Sequence, residues 1–142
     1  MKALKTIILA FCITFSFNAF SKDDGAKDQK LTMNYAVQTY IDAMTQGKIK
    51  DFSEVLDNDV KFTLTQGQKI INLNRGQMLS SLKGSENMQQ NCRTNYSIVE
   101  QNDSQSIVKV TMVYDVFTRT NYVTITHTNS GWKITNVSSV FN

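Results

Sequence analysis

The chain has 142 residues, 41% of them apolar and 19% charged, which suits one globular domain and excludes a disordered or fibrous chain. No stretch reaches the roughly 18 uninterrupted apolar residues that a membrane-spanning helix needs. The net charge of +3 includes Lys2 and Lys5; without residues 1–21, 13 basic residues stand against 12 acidic. Such a near-neutral surface gives no electrostatic reason to expect nucleic acid or an anionic membrane as partner.

Residues 1–21 have the three parts of a secretory signal. Lys2 and Lys5 give the positive start, and Ile7, Ile8, Leu9, Phe11, Ile13, Phe15 and Phe17 form a short apolar run. Ala19 and Ser21 put small side chains where a signal peptidase requires them. This pattern predicts an exported protein, periplasmic or secreted, that has left the membrane once the signal is removed. Cys12 would leave with the leader, so Cys92 has no partner for an intramolecular disulfide or a cysteine metal site. Cys92 reads as a small strand hydrophobe, and stability must come from core burial.

Residues 22–31 are mostly charged and aperiodic, and read as a flexible linker. From Thr32 to Asn142 the pattern is that of one domain. Met33, Val37, Tyr40, Ile41 and Met44 recur at steps of three and four, which predicts a helix capped by Thr32 and ended by Gly47. Ile49, Phe52, Val55 and Leu56 predict a second, shorter helix, stopped by Asp57, Asn58 and Asp59. Val60, Phe62 and Leu64 alternate with polar residues as in a half-buried strand. A turn at Gln66-Gly67-Gln68 precedes a short return strand through Ile70, Ile71 and Leu73. Asn74 then caps a third helix carrying Met78, Leu79 and Leu82, closed by Gly84. Four strands follow: one around Tyr96 and Ile98, one alternating from Val108 to Val116, one over 119–128 and one from Trp132 to Phe141. Helices first and an antiparallel meander last predict an α+β fold with the helices on one face of the sheet.

The segment Tyr40-Ile41-Asp42-Ala43-Met44 with Gly47, followed by an acidic and asparagine turn before a strand, resembles the opening of a nuclear transport factor 2-like domain. Tyr122-Val123-Thr124-Ile125 and Gly131-Trp132-Lys133-Ile134 resemble the last hairpin of that superfamily. Within it the chain is most similar to the bacterial lumazine-binding group, over residues 32–141. The resemblance implies a cystatin-like cone, three helices packed on a curved and mostly antiparallel sheet, with an apolar cavity and a homodimer paired through the open sheet face. The same architecture serves isomerases, cyclases, dehydratases and non-catalytic binders, so fold does not settle activity.

Carried over residue by residue, the hydrogen-bonding tyrosine of ketosteroid isomerase falls on Tyr40 and its general-base aspartate on Leu64, which cannot take a proton. Tyr40 reads either as a packed tyrosine or as a ligand contact. His127, the only histidine, reads as a solvated hairpin residue or as an acid–base group at a cavity mouth. Asp115 reads as a surface or interface charge or as a catalytic acid beside Arg119. Asp42 reads as solvated. No nucleophile, phosphate-binding, dinucleotide or zinc motif occurs in the sequence. The sequence therefore predicts no metal, no cofactor and no evident catalytic constellation. It predicts an exported binding domain for a small apolar or aromatic ligand, walled by Val37, Tyr40, Phe62, Tyr114 and Trp132. The alternative is an isomerase, cyclase or dehydratase using Tyr40 with Asp115 or His127.

Overall fold

Thr32 starts the first helix because its Oγ1 accepts the Tyr35 N–H at 3.2 Å, relieving one donor that the helix itself cannot satisfy. The computed structural model describes residue 28 and residues 30–142; the leader expected over 1–21 lies outside them. Helix α1 spans Met33–Gln46 and ends at Gly47, which adopts the left-handed conformation at φ +67°. Helix α2 follows at Ile49–Val55. Strand β1 runs Leu56–Gln66 and β2 Lys69–Leu73. Helix α3, Arg75–Lys83, opens on a reciprocal cap: Asn74 Oδ1 accepts from Gln77 N and Gln77 Oε1 accepts from Asn74 N, both at 2.9 Å. Strands β3 (Arg93–Gln101), β4 (Gln105–Val113), β5 (Thr118–Thr128) and β6 (Gly131–Phe141) complete the domain.

The six strands form one curved sheet in the order β2-β1-β6-β5-β4-β3. Every neighbouring pair is antiparallel except β1 and β6. The three helices lie on a single face of that sheet. They cover it with Ala36, Val37, Tyr40, Ile41 and Met44 of α1, Phe52 and Val55 of α2 and Met78 of α3. The sheet answers with Phe62, Val108, Val110, Met112, Val123, Ile125, Ile134 and Val137. Each large apolar side chain so enclosed contributes about 1.5–3 kcal/mol. The opposite face is rich in threonine, because residues alternating with this core in β1, β4 and β5 include Thr63, Thr65, Thr111, Thr120, Thr124 and Thr126.

Three local expectations change. Asp57–Asp59 do not form a free turn, since β1 already begins at Leu56, opposite Ile134, and bulges before Lys61 meets Asn136. Asp57 Oδ2 accepts from Asp59 N at 3.0 Å and stabilises the bulge. Strand β4 stops at Val113, three residues short of the alternation expected through Val116, because Val113 pairs with Thr118 and the chain between them must reverse. Tyr114 N donates to Phe117 O at 2.9 Å across that turn, which leaves Val116 91% exposed. Leu31, at the end of the expected linker, is docked: its carbonyl accepts from Trp132 N at 3.0 Å.

Candidate functional site

Alternation along the strands puts polar residues in phase with the buried face at one end of the sheet. One row across the sheet reads Ile71, Leu64, Ser139, Asn121, Val110 and Tyr96. The next row, nearer the end of β6, reads Lys69, Gln66, Phe141, Arg119, Met112 and Thr94. Ser139 and Asn121 are fully buried, and Arg119 is half-buried above them.

These side chains form one hydrogen-bonded group. Ser139 Oγ donates to Asn121 Oδ1 at 2.6 Å, and Asn121 Nδ2 donates to the Val110 carbonyl at 3.1 Å. Arg119 Nε donates to the same Asn121 Oδ1 at 2.9 Å, and one terminal guanidinium nitrogen reaches Ser139 Oγ at a weak 3.4 Å. The guanidinium carbon stands 5.2 Å from the centroid of the Phe141 ring, so the aromatic face fixes the orientation of the cation. Among the described residues no carboxylate lies within ion-pair distance of Arg119.

Tyr40 reaches this group from α1. Its ring is wholly buried, 6.0 Å from Phe52, and its hydroxyl has no hydrogen-bond partner. Ser139 Oγ is near enough to act on the phenol, but the contact falls outside hydrogen-bond geometry. Burial pushes the Tyr40 phenol above its ordinary range, while the Arg119 charge and a poorly aligned hydrogen bond with Ser139 act the other way. A buried hydroxyl without a partner costs about 1–3 kcal/mol, so its presence here calls for a reason.

The rim of the group is aromatic. Tyr114 and Phe117, at the two ends of the β4–β5 turn, stack at 4.4 Å, and Phe117 lies 6.1 Å from Phe141. Cys92, half-buried and free, sits beside Tyr114 and 3.7 Å from Thr94 Oγ1. Burial raises the Tyr114 phenol, the charge and hydrogen bond of Cys92 add to this, and Arg119 opposes it.

Of the wall residues expected from sequence, Tyr40 and Tyr114 belong to this group. Val37 and Phe62 are enclosed in the core at 3% and 1% exposure. Trp132 is at the far end of β6, nine residues or about 30 Å of strand from Phe141, stacked on His127 at 5.1 Å. His127 is thereby set apart from Asp115, which is exposed in the β4–β5 turn at the other end of β5. Leu64, where the isomerase comparison wants a base, pairs with Ser139, and neither of the two rows contains a carboxylate. Sequence reasoning passed over Asn121 and Ser139 and treated Arg119 only as a neighbour of Asp115. Their signal was phase, since all three share the parity of Val123, Ile125 and Val137.

A cleft of about 500 Å³ opens at the opposite end of the fold, lined among others by Glu54, Asp57, Asn58, Arg75 and Lys133. Two carboxylates, Glu54 and Asp57, and two cations, Arg75 and Lys133, line it, so it offers no single charge to a ligand. Its Arg75 donates to Ser53 O at 2.7 Å, and the Lys133 ammonium donates to Glu54 O. No group of three or more histidine, cysteine, aspartate or glutamate side chains suited to a metal occurs among the described residues.

Three helices packed on a six-stranded, mostly antiparallel curved sheet make a nuclear transport factor 2-like fold. The chain belongs to the family described as "Putative lumazine-binding", which matches residues 28–141. Among solved structures it is similar to a nuclear transport factor 2-like protein of unknown function from Silicibacter pomeroyi, with TM-score 0.66 and 13% identity over 78% of this chain and 92% of that one. A second, from Methylobacillus flagellatus, has TM-score 0.65 and 12% identity over 85% and 94%. A cystatin-like fold protein from Burkholderia xenovorans has TM-score 0.61 and 11% identity over 80% and 92%. At these identities the likeness is one of fold. No curated protein matches the chain by sequence.

Proposed function

We propose that the protein binds a small, partly aromatic molecule at the end of the sheet where β5 begins and β6 ends. The site consists of Tyr40, Arg119, Asn121 and Ser139 under the rim of Tyr114, Phe117 and Phe141. The observation that carries this reading is the Tyr40 hydroxyl, wholly buried and unpartnered beside a polar cluster. An apolar wall with a few convergent polar groups is the ordinary make-up of a small-molecule site. The family description, which names lumazine, a fused heteroaromatic ring system, agrees with a flat ligand. Leu64 in place of a base, and the separation of Asp115 from His127, favour binding over isomerase-type catalysis.

The reading includes export, on the pattern of residues 1–21, and a homodimer formed through the threonine-rich face on which Tyr122 stays 40% exposed. The test is a native mass spectrum of residues 22–142 purified from an exporting host. A bound small-molecule mass lost on denaturation, and lost again in a variant carrying Tyr40→Phe and Arg119→Gln, supports the reading. A protein that is empty from every host and unresponsive to aromatic fragments refutes it.

A further inference from the structure

Resting on that binding site, we propose that the ligand is an anion: a flat, conjugated acid whose carboxylate or equivalent oxyanion sits on the Arg119 guanidinium while its ring lies against Phe117 and Phe141. The argument begins with charge. A guanidinium stays ionised at any pH a protein survives and carries five N–H donors in a rigid fork. Here one donor is spent on Asn121 Oδ1 and one, at 3.4 Å, weakly on Ser139 Oγ; both acceptors are neutral.

A half-buried cation whose partners among the described residues are neutral acceptors and an aromatic face is a charge held partly out of water with no opposite charge against it. The fold also gives up conformational freedom to hold it, since Asn121 locks its Nε and Phe141 supports its face. Among the described residues no carboxylate lies within ion-pair distance of Arg119; the groups it touches, Asn121, Ser139 and Phe141, are neutral, and Tyr40 and Tyr114 beside them are phenols. A planar two-oxygen anion matches the remaining edge of the fork, and such charge-assisted pairs are about twice as strong as neutral ones.

The aromatic rim sets the rest of the ligand. Tyr114 and Phe117 are stacked nearly parallel, 11° apart, and Phe117 leads on to Phe141 beneath the cation. A conjugated ring carrying its anion at one edge satisfies both features, whereas a flexible aliphatic acid uses only the charge. Tyr40 supplies a further donor on the floor of the same cluster.

The experiment compares 2-naphthoate with 2-naphthamide, which share a ring and differ in charge, by calorimetric titration of the mature protein and by NMR of its tyrosine rings. Naphthoate binding about tenfold tighter than naphthamide at low salt, with that advantage lost in Arg119→Gln and partly kept in Arg119→Lys, supports the proposal. Equal affinities, with Tyr114 signals shifting for both, overturn the anion while leaving the binding site standing. If neither probe shifts Tyr40 or Tyr114 at about 1 mM, both the anion and the site are refuted. The comparison of probes on the unaltered protein decides the matter even if the Arg119 variants fold poorly.

Discussion

Asn121 and Ser139 face each other directly across β5 and β6, and the 2.6 Å hydrogen bond between them is the centre of the buried polar group. Three partners depend on the Asn121 amide: Ser139 Oγ, Arg119 Nε and the Val110 carbonyl. Asn121→Leu keeps the branched shape, though with bulkier methyl groups, and strands all three. The expected loss is about 1–3 kcal/mol, read as a lower urea midpoint at unchanged slope. The paired change Asn121→Leu with Ser139→Ala should lose less than the two single changes added, because it removes an unmet donor along with its acceptor.

Tyr40→Phe should move stability and binding in opposite directions. Removing a buried hydroxyl that makes no hydrogen bond relieves a desolvation cost and leaves the ring against Phe52 in place. Thermal unfolding should therefore occur at an equal or higher temperature, while affinity for a bound aromatic acid falls several-fold. A marked drop in the unfolding temperature would mean that the hydroxyl is a structural group and not a ligand donor.

Alkaline pH should weaken the fold. The Tyr40 and Tyr114 phenols are both raised above the ordinary value of 10.0 in the folded state, first of all by burial. Above that value the unfolded chain releases these protons before the folded one does, so unfolding is favoured. This contribution to stability is fully present below pH 10 and is lost as pH rises towards the folded values. Denaturant midpoints measured from pH 8 to 11 should fall along the upper part of the range, and less steeply in Tyr40→Phe.

Gly47 and Gly67 both lie at positive φ, +67° and +60°, yet substitution should separate them. A Cβ on Gly47 would stand 2.3 Å from Ser85 O and 2.6 Å from Asn87 N, both backbone atoms. The loop is held there by Asn87 N donating to Gly47 O at 3.1 Å, so it cannot yield cheaply. At Gly67 the same Cβ meets open space. Gly67→Ala should cost about 1 kcal/mol of backbone strain, and Gly47→Ala distinctly more, with the difference visible as separate melting temperatures.

Much of this architecture could be read from local pattern. The stripe of Val37, Tyr40, Ile41 and Met44, the caps at Thr32 and Asn74 and the glycine at 47 each act within a few residues, so sequence spacing carries them. The parallel pairing of β1 with β6 could not be read that way, since it joins Phe62 to Val137 across most of the domain. The site divided along the same line. Tyr40 was visible because it belongs to a helical stripe. Phe62 and Trp132 are aromatic by type, and type does not say at which end of a strand a side chain falls, while the stripe that carries Val37 marks a buried face and not an opening. Arg119, Asn121 and Ser139 look like ordinary strand polarity until register aligns them in adjacent rows.

Strand β6, the last along the described chain, lies in the middle of the sheet, between β1 and β5. Until it is in place, the hairpin β1–β2 and the meander β3–β5 have no strand in common, and neither owns a complete hydrophobic face. The order of synthesis therefore sets the order of closure: the keystone arrives last and carries Ser139 and Phe141 with it. Folding of this kind depends on contacts distant in sequence and is slow compared with helical domains of the same size. A nascent chain of this protein therefore cannot join its hairpin β1–β2 to its meander β3–β5 until β6 has been made.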